Sequence, residues 1–425
     1  MRRRKGLPHP NPSDAEEQGG KTPPTTTFGA GIVAGASDND PTTVATLAVI
    51  GSTTTYELGW LTLLVIPMLA VVQAVAAQVG AVTKKGLEDD VRHAYGRFWA
   101  LLALAALLIV NVLTLAADLE GGGAAMQLLT GADYRWWILP LGALTVALLI
   151  FGSYRAIERY LRYVALLFLT YVGAAFLARP NWSDVLRGSF VPHFDLRPET
   201  VAGALALLGT TLTAYAYVWE TIELSEEKPP LQRLGLVQAD AALGIVVAGL
   251  TFWFILVATG ATLGVHHHAV QTAQDAAQAL VPLAGKYAAI IFAVGLLGSA
   301  LVAIPVIAGT SAYVAAEMFG WRRSLDRKFD RARAFYLTLS GCVLIAVLIG
   351  MAGVPPIKLL FFSGIAGGIA TPLTLALMLL IGRNRKVMRD KPVPSWLAAA
   401  GWSVTAVVTA ATVIYLGQTL TGGGG

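Results

Sequence analysis

The chain has 425 residues, of which 55% are hydrophobic and only 13% charged, where soluble domains carry about 25% charged residues. Mean hydropathy is +0.62 and the pI is near 9.2, values that exclude an ordinary water-soluble domain and indicate an integral membrane protein. A single cysteine, Cys342, excludes an internal disulfide.

The first 27 residues, "MRRRKGLPHPNPSDAEEQGGKTPPTTT", have a basic start but no apolar core after it, so they are not a cleavable signal peptide. They are polar and rich in proline, and are expected to form a disordered cytoplasmic tail. Apolar runs then predict about 11 transmembrane helices, near 28–52, 58–83, 98–128, 136–153, 159–178, 200–224, 237–262, 285–317, 334–352, 356–381 and 395–417. Most are close to the roughly 20 residues that a spanning helix needs. Residues 181–199 are the expected extracytoplasmic loop in mid-chain, and 418–425, ending in "GGGG", a flexible tail.

With the N-terminus cytoplasmic, 25 of the 31 Lys and Arg fall in inside segments. The outside loops keep Arg135, Arg179, Arg187, Arg197, Lys286 and Lys358. This bias predicts the orientation in the cell (inner) membrane, with the C-terminus outside. It also accounts for the basic run "WRRSLDRKFDRARAF" as a topology signal, so no nucleic-acid partner is expected.

The first span contains "GASDNDPTTVATL", Gly35–Leu47, with Asp38, Asp40 and Pro41 near the bilayer midplane. Pro41 lacks an amide hydrogen and collides with the preceding turn. Asp40 is biased away from helical geometry by the proline after it, and a new helix is expected to start with Asp40 as cap and Pro41 at its first position. A buried acid at a helix centre costs about 2.5–3.5 kcal/mol on insertion scales. A neutral cap would serve for less, so an ion site built from carboxylates and unwound carbonyls is the functional reading. In span three, "AADLEGGG" places Asp118 and Glu120 two apart, so a regular helix turns at most one of them toward a central cavity. Span six contains the small, hydroxyl-rich stretch Gly209, Thr210, Thr211 and Thr213, followed by Tyr215 and, toward its cytoplasmic end, Glu220 and Glu223. Threonine hydroxyls make a broken helix tolerable. The three histidines His266, His267 and His268 fall in an outside loop, where consecutive residues cannot easily share one metal.

Spans 1–5 (residues 28–180) and 6–10 (200–381) form two halves, each with an interruption in its first helix. Interruptions at corresponding positions of two halves are the best sequence pointer to a transporter's binding site. The matching runs Asp40-Pro41-Thr42-Thr43 and Gly209-Thr210-Thr211-Leu212-Thr213-Ala214-Tyr215, with "AGTSAYVAAEMFGW" and "IATPLTLALMLLIGRNRKVM" further on, resemble the natural resistance-associated macrophage protein (NRAMP) family of divalent-metal transporters over about 28–390. The resemblance implies a leucine-transporter-like 5+5 inverted repeat, all-α, with helices 1 and 6 interrupted and the metal held between them. It implies Asp40 as a ligand. At the other family ligand positions this chain has Thr43 for Asn, Thr210 for Ala and Thr213 for Met. Tyr215 and Glu220 stand where the family has two His, and the family Gln of helix ten is missing.

The departures resemble a divergent branch that includes proposed magnesium carriers. Replacing thioether sulfur by hydroxyl leaves an oxygen-only set of Asp40, Asp38, Thr43, Thr213 and carbonyls around Thr210, suited to hard ions such as Mg²⁺ or Mn²⁺. Asp118, Glu120, Tyr215 and Glu220 are expected along the ion pathway. The partners expected are the divalent cation and the lipid bilayer, without a cofactor, and with uptake not coupled to protons. The alternatives are a proton-coupled Mn²⁺/Fe²⁺ symporter of the ordinary family type and a carrier of amino acids or other organic solutes on the same fold. An enzyme is not expected, since no nucleophile–base set and no His-Glu-x-x-His is present.

Overall fold

The computed structural model describes residues 39–151, 167, 170–227, 234–321 and 332–421. Their secondary structure is helical, and eight helical stretches among them are long and apolar enough to cross a membrane. In chain order the main elements are α1 (Pro41–Thr54), α2 (Gly59–Thr83), α3 (Leu87–Tyr95), α4 (Arg97–Thr130), α5 (Arg135–Phe151), α6 (Trp182–Phe190) and α7 (Pro198–Thr211). They continue with α8 (Ala214–Glu227), α9 (Leu234–Thr262), α10 (Ala288–Phe319), α11 (Arg333–Gly350), α12 (Pro356–Arg383) and α13 (Ser395–Leu420). The predicted spans match these helices closely. The end of the fifth span is helical over 170–177, and the rest of it lies outside the described residues, as do the N-terminal tail and the first half of span one.

Sequence chemistry sets the boundaries that matter. Prolines open α1, α7 and α12 at a first helical position, where the missing N–H costs nothing. α4 ends at Gly131, in the left-handed conformation that glycine adopts freely. α2 ends with Lys84 left-handed, its N–H on the Gly80 carbonyl. α4 and α10 pack along much of their length; α7 packs on α12, and α9 packs on α1 and α2. Small residues at these crossings let backbones approach, as in membrane bundles generally. Large apolar side chains such as Phe98, Trp136, Phe151 and Trp396 remain exposed on the outside of the bundle, as expected of a surface facing lipid tails. The sixth span is divided between α7 and α8 as expected, and in the described part of the first span a new helix begins at Pro41.

Candidate ion site between the broken helices

α1 begins at Pro41, and Asp40 caps it as expected: its backbone is extended and its Oδ1 accepts the Thr43 N–H at 2.7 Å. The other carboxylate oxygen, Oδ2, accepts the Tyr215 hydroxyl of α8 at 3.1 Å. Successive residues of a helix point about 100° apart, so Thr42 and Thr43 reach different neighbours. Thr43 Oγ1 lies 2.9 Å from Thr210 Oγ1 in the last turn of α7. Thr42 Oγ1 donates to Asp118 Oδ1 on α4 at 2.9 Å. One short turn of α1 is thereby tied by hydroxyls and carboxylates to α4, α7 and α8.

The sixth span breaks at Leu212 and Thr213, between α7 and α8. Thr211 turns its hydroxyl back onto the Leu207 carbonyl at 2.6 Å, a local bond that competes with helix continuation. The Leu212 carbonyl, freed by the break, accepts Thr371 Oγ1 of α12 at 3.1 Å. On the other side, the Asn39 carbonyl accepts the Ser299 hydroxyl of α10. Unwound backbone inside a membrane persists where side chains satisfy it in this way. A side-chain carbon at Gly209 would overlap the Gly364 carbonyl oxygen and the Gly368 nitrogen. α7 and α12 therefore meet backbone to backbone beside the break, which only a residue without Cβ permits.

The cleft so formed is lined by Asp40, Thr42, Thr114, Thr210, Thr213 and Ser363. Tyr215 and the backbone of Gly209, Gly364 and Gly367 complete it. It is closed so tightly that no water-sized sphere fits within it. Asp40 and Asp118 are 1% and 0% exposed. The lining contains no basic side chain, no sulfur and no imidazole. Two carboxylates removed from water require a cation or a proton, and hydroxyl, carboxylate and carbonyl oxygens are the donor set of hard cations.

Three sequence candidates, Asp40, Thr210 and Thr213, line the cleft together with Tyr215, and Thr43 and Asp118 reach its wall through Thr210 and Thr42. Glu120 does not. It is buried on another face of α4, next to Gly350 at the end of α11, which follows from its two-residue offset from Asp118. Glu220 lies on α8 outside the cleft lining, and Asp38 lies outside the described residues. His268 Nε2 stands 3.5 Å from Asp275 Oδ1 at the surface. Among the described residues no three His, Cys, Asp or Glu side chains converge on a metal position. Sequence reasoning missed Thr114 and Ser363. Thr114 had a signal, since it sits four residues before Asp118 on the same helix face; Ser363 arrives through tertiary packing alone.

The sequence profile described as Natural resistance-associated macrophage protein-like matches residues 31–418. Among curated relatives, the divalent metal cation transporter MntH of Deinococcus radiodurans is 28% identical over 418 residues, covering 93% of this chain and 90% of that one. The protein of the same name from Xylella fastidiosa is 27% identical over 407 residues, covering 92% and 84%. A mutant of the Eremococcus coleocola manganese transporter superposes with a TM-score of 0.72 at 16% identity, covering 93% of this chain and 88% of that one. MhsT in complex with L-phenylalanine gives 0.56 at 16% identity, covering 93% and 99%.

Proposed function

The chain belongs to the Natural resistance-associated macrophage protein-like family, and from that premise we propose that it carries divalent metal cations across the membrane, with a preference for hard ions such as Mg²⁺ or Mn²⁺. The ion binds between the broken helices. Asp40, Thr43, Thr210 and Thr213 supply the oxygens, Asp118 adds a second negative charge, and Asp38 lies two residues before Asp40. Support comes from one observation above others: the buried Asp40 carboxylate lines a cleft with hydroxyls and backbone and, among the described residues, with no basic, sulfur or imidazole group, and the buried Asp118 is bonded to its wall through Thr42. Mg²⁺ keeps several waters and meets one or two carboxylates. Small threonine side chains leave space for those waters once the helices part. Because the cleft is closed to a water-sized sphere, entry and exit require relative movement of the helices around the site, as in alternating access.

Uptake is expected to run down the ion's own electrochemical gradient. The membrane orientation is the one set by the basic loops, with α3 and the C-terminal end of α10 on the cytoplasmic side. A carrier of amino acids is disfavoured, because a substrate carboxylate would meet the buried Asp40, with Asp118 behind Thr42 adding to the repulsion. The test is uptake by proteoliposomes of Mg²⁺, Mn²⁺, Cd²⁺ and a panel of amino acids, with wild type and Asp40→Ala. Mg²⁺ or Mn²⁺ uptake that disappears in Asp40→Ala is the expected result. Amino-acid uptake, or metal uptake unchanged in that variant, would remove the basis of the proposal.

A further inference from the structure

Away from the helix breaks, on the face predicted to be cytoplasmic, a carboxyl group is sealed into the protein with no hydrogen-bond partner among the described residues. Glu88, in the first turn of α3, is 0% exposed, and neither of its carboxyl oxygens has a hydrogen-bond partner among the described residues. Its position near a helix N-terminus would ordinarily favour the carboxylate, yet no backbone N–H reaches it. Across the seam stands Glu317, buried near the end of α10. The two elements are brought together by Gly86, where a side-chain carbon would overlap the Glu317 carboxylate. The loop backbone before α3 thus lies directly on that acid.

Several charged groups lie on α3 and on the helices it packs against: Asp89, Asp90, Arg92 and His93 on α3 itself, Arg97 on α4, Glu220 and Glu223 on α8, Glu317 on α10 and Arg383 on α12. Of these, only Glu317 has a charge that acts appreciably on Glu88, and it acts against ionisation. Lys85 and Arg92 are engaged with Asp89, at 3.4 and 2.8 Å. Burial and the Glu317 carboxylate together hold Glu88 well above the usual carboxylate range. An unpaired buried carboxylate is strongly disfavoured, so in this closed arrangement Glu88 carries its proton.

α3 belongs to the first repeat and α10 to the second. Movement of one repeat against the other changes this seam, and water entering it would return Glu88 to the ordinary glutamate range near pH 4.3. We propose that Glu88 is a proton-binding site on the face predicted to be cytoplasmic, occupied while α3 is seated on α10 and emptied to the same side when the seam opens. The sign follows from the raised closed-state value. The closed seam is fully stabilised at low pH and loses that stabilisation as pH rises through the closed-state range. Proton uptake and release on one side makes transport sensitive to cytosolic pH without carrying protons across. Asp90, buried nearby, is pushed up to about 6 by burial, so its own titration is complete near pH 7, below the range in which Glu88→Gln is read.

The experiment measures hydrogen exchange in segment 84–95 of the purified full chain between pH 5.5 and 8.5, corrected for the intrinsic exchange rate. This reads the seam whichever ion is carried. In wild type, protection falls by up to about tenfold per pH unit, the limit for one proton. In Glu88→Gln, an isosteric mimic of the protonated acid, protection stays flat above pH 7. Glu317→Gln removes the opposing charge, and the fall ends at lower pH. A wild-type pH profile retained in Glu88→Gln overturns the site. Mn²⁺ uptake into proteoliposomes, with a pH dye in the lumen, tests the return to the same side. Metal-dependent proton movement lost in Glu88→Gln overturns that part.

Discussion

Tyr215→Phe is the most informative substitution at the central cleft. In the closed site both Asp40 oxygens are engaged, Oδ1 by the Thr43 N–H at 2.7 Å and Oδ2 by the Tyr215 hydroxyl at 3.1 Å. A cation that binds Asp40 competes with the phenol for Oδ2. Hydrogen bonds to charged groups are worth about 1.5–3 kcal/mol; the 3.1 Å separation places this one at the weaker end, near 1.5 kcal/mol. Removing the hydroxyl while keeping the ring takes that stabilisation from the empty site alone. Each 1.4 kcal/mol is a factor of ten in affinity, so Mn²⁺ or Mg²⁺ should bind about tenfold more tightly. The assay is calorimetric titration of wild type and Tyr215→Phe in the same detergent. An unchanged dissociation constant refutes the competition, and weaker binding shows instead that the phenol oxygen coordinates the ion.

Thr213→Met returns a thioether to the cleft and should raise Cd²⁺ affinity relative to Mg²⁺; an unaltered order would place Thr213 away from the ion. Gly209→Ala sets a methyl against the backbone of α12 and should lower the melting temperature, at a cost of about 1–3 kcal/mol from overpacking. A stability equal to wild type would deny the close contact. In proteoliposomes, Mg²⁺ or Mn²⁺ entry should proceed without acidifying the lumen, as read by a trapped pH dye; metal-dependent acidification would redirect attention to Asp118 and Glu120.

Local chemistry explains how much could be read in advance. Apolar length gave the spans, and the Asp40-Pro41 pair gave the first break, because a proline's missing N–H and a carboxylate cap act within one turn. The break in span six was legible from Thr210, Thr211 and Thr213, whose hydroxyls offer the backbone an alternative to the helix. What could not be read is which face of α4 meets α1. Asp118 and Glu120 are equally acidic and two residues apart, and only the packing against Thr42 distinguishes them. Ser363 and the glycines of α12 enter the cleft through an approach of two helices more than 150 residues apart in sequence, as shown by the bond between Thr371 and the Leu212 carbonyl, and no short-range pattern records such an approach. Nothing in "KKGLEDD" indicates that Glu88 is buried.

The bonds among Thr42, Thr43, Thr210, Tyr215 and the two aspartates have a consequence for the transport cycle. A carrier that delivers ions in one direction must make its return journey empty, and a vacant cleft full of unmet acceptors would stall there. Hydroxyls both donate and accept, and this cluster engages both oxygens of Asp40 and one of Asp118, so less of the cleft's polarity is left for an ion or a proton to meet. The unloaded protein is thereby equipped to reorient, which favours net accumulation over one-for-one exchange. A counterflow experiment separates the two: efflux of preloaded Mn²⁺ into metal-free medium should proceed at a rate comparable to efflux into medium containing Mn²⁺.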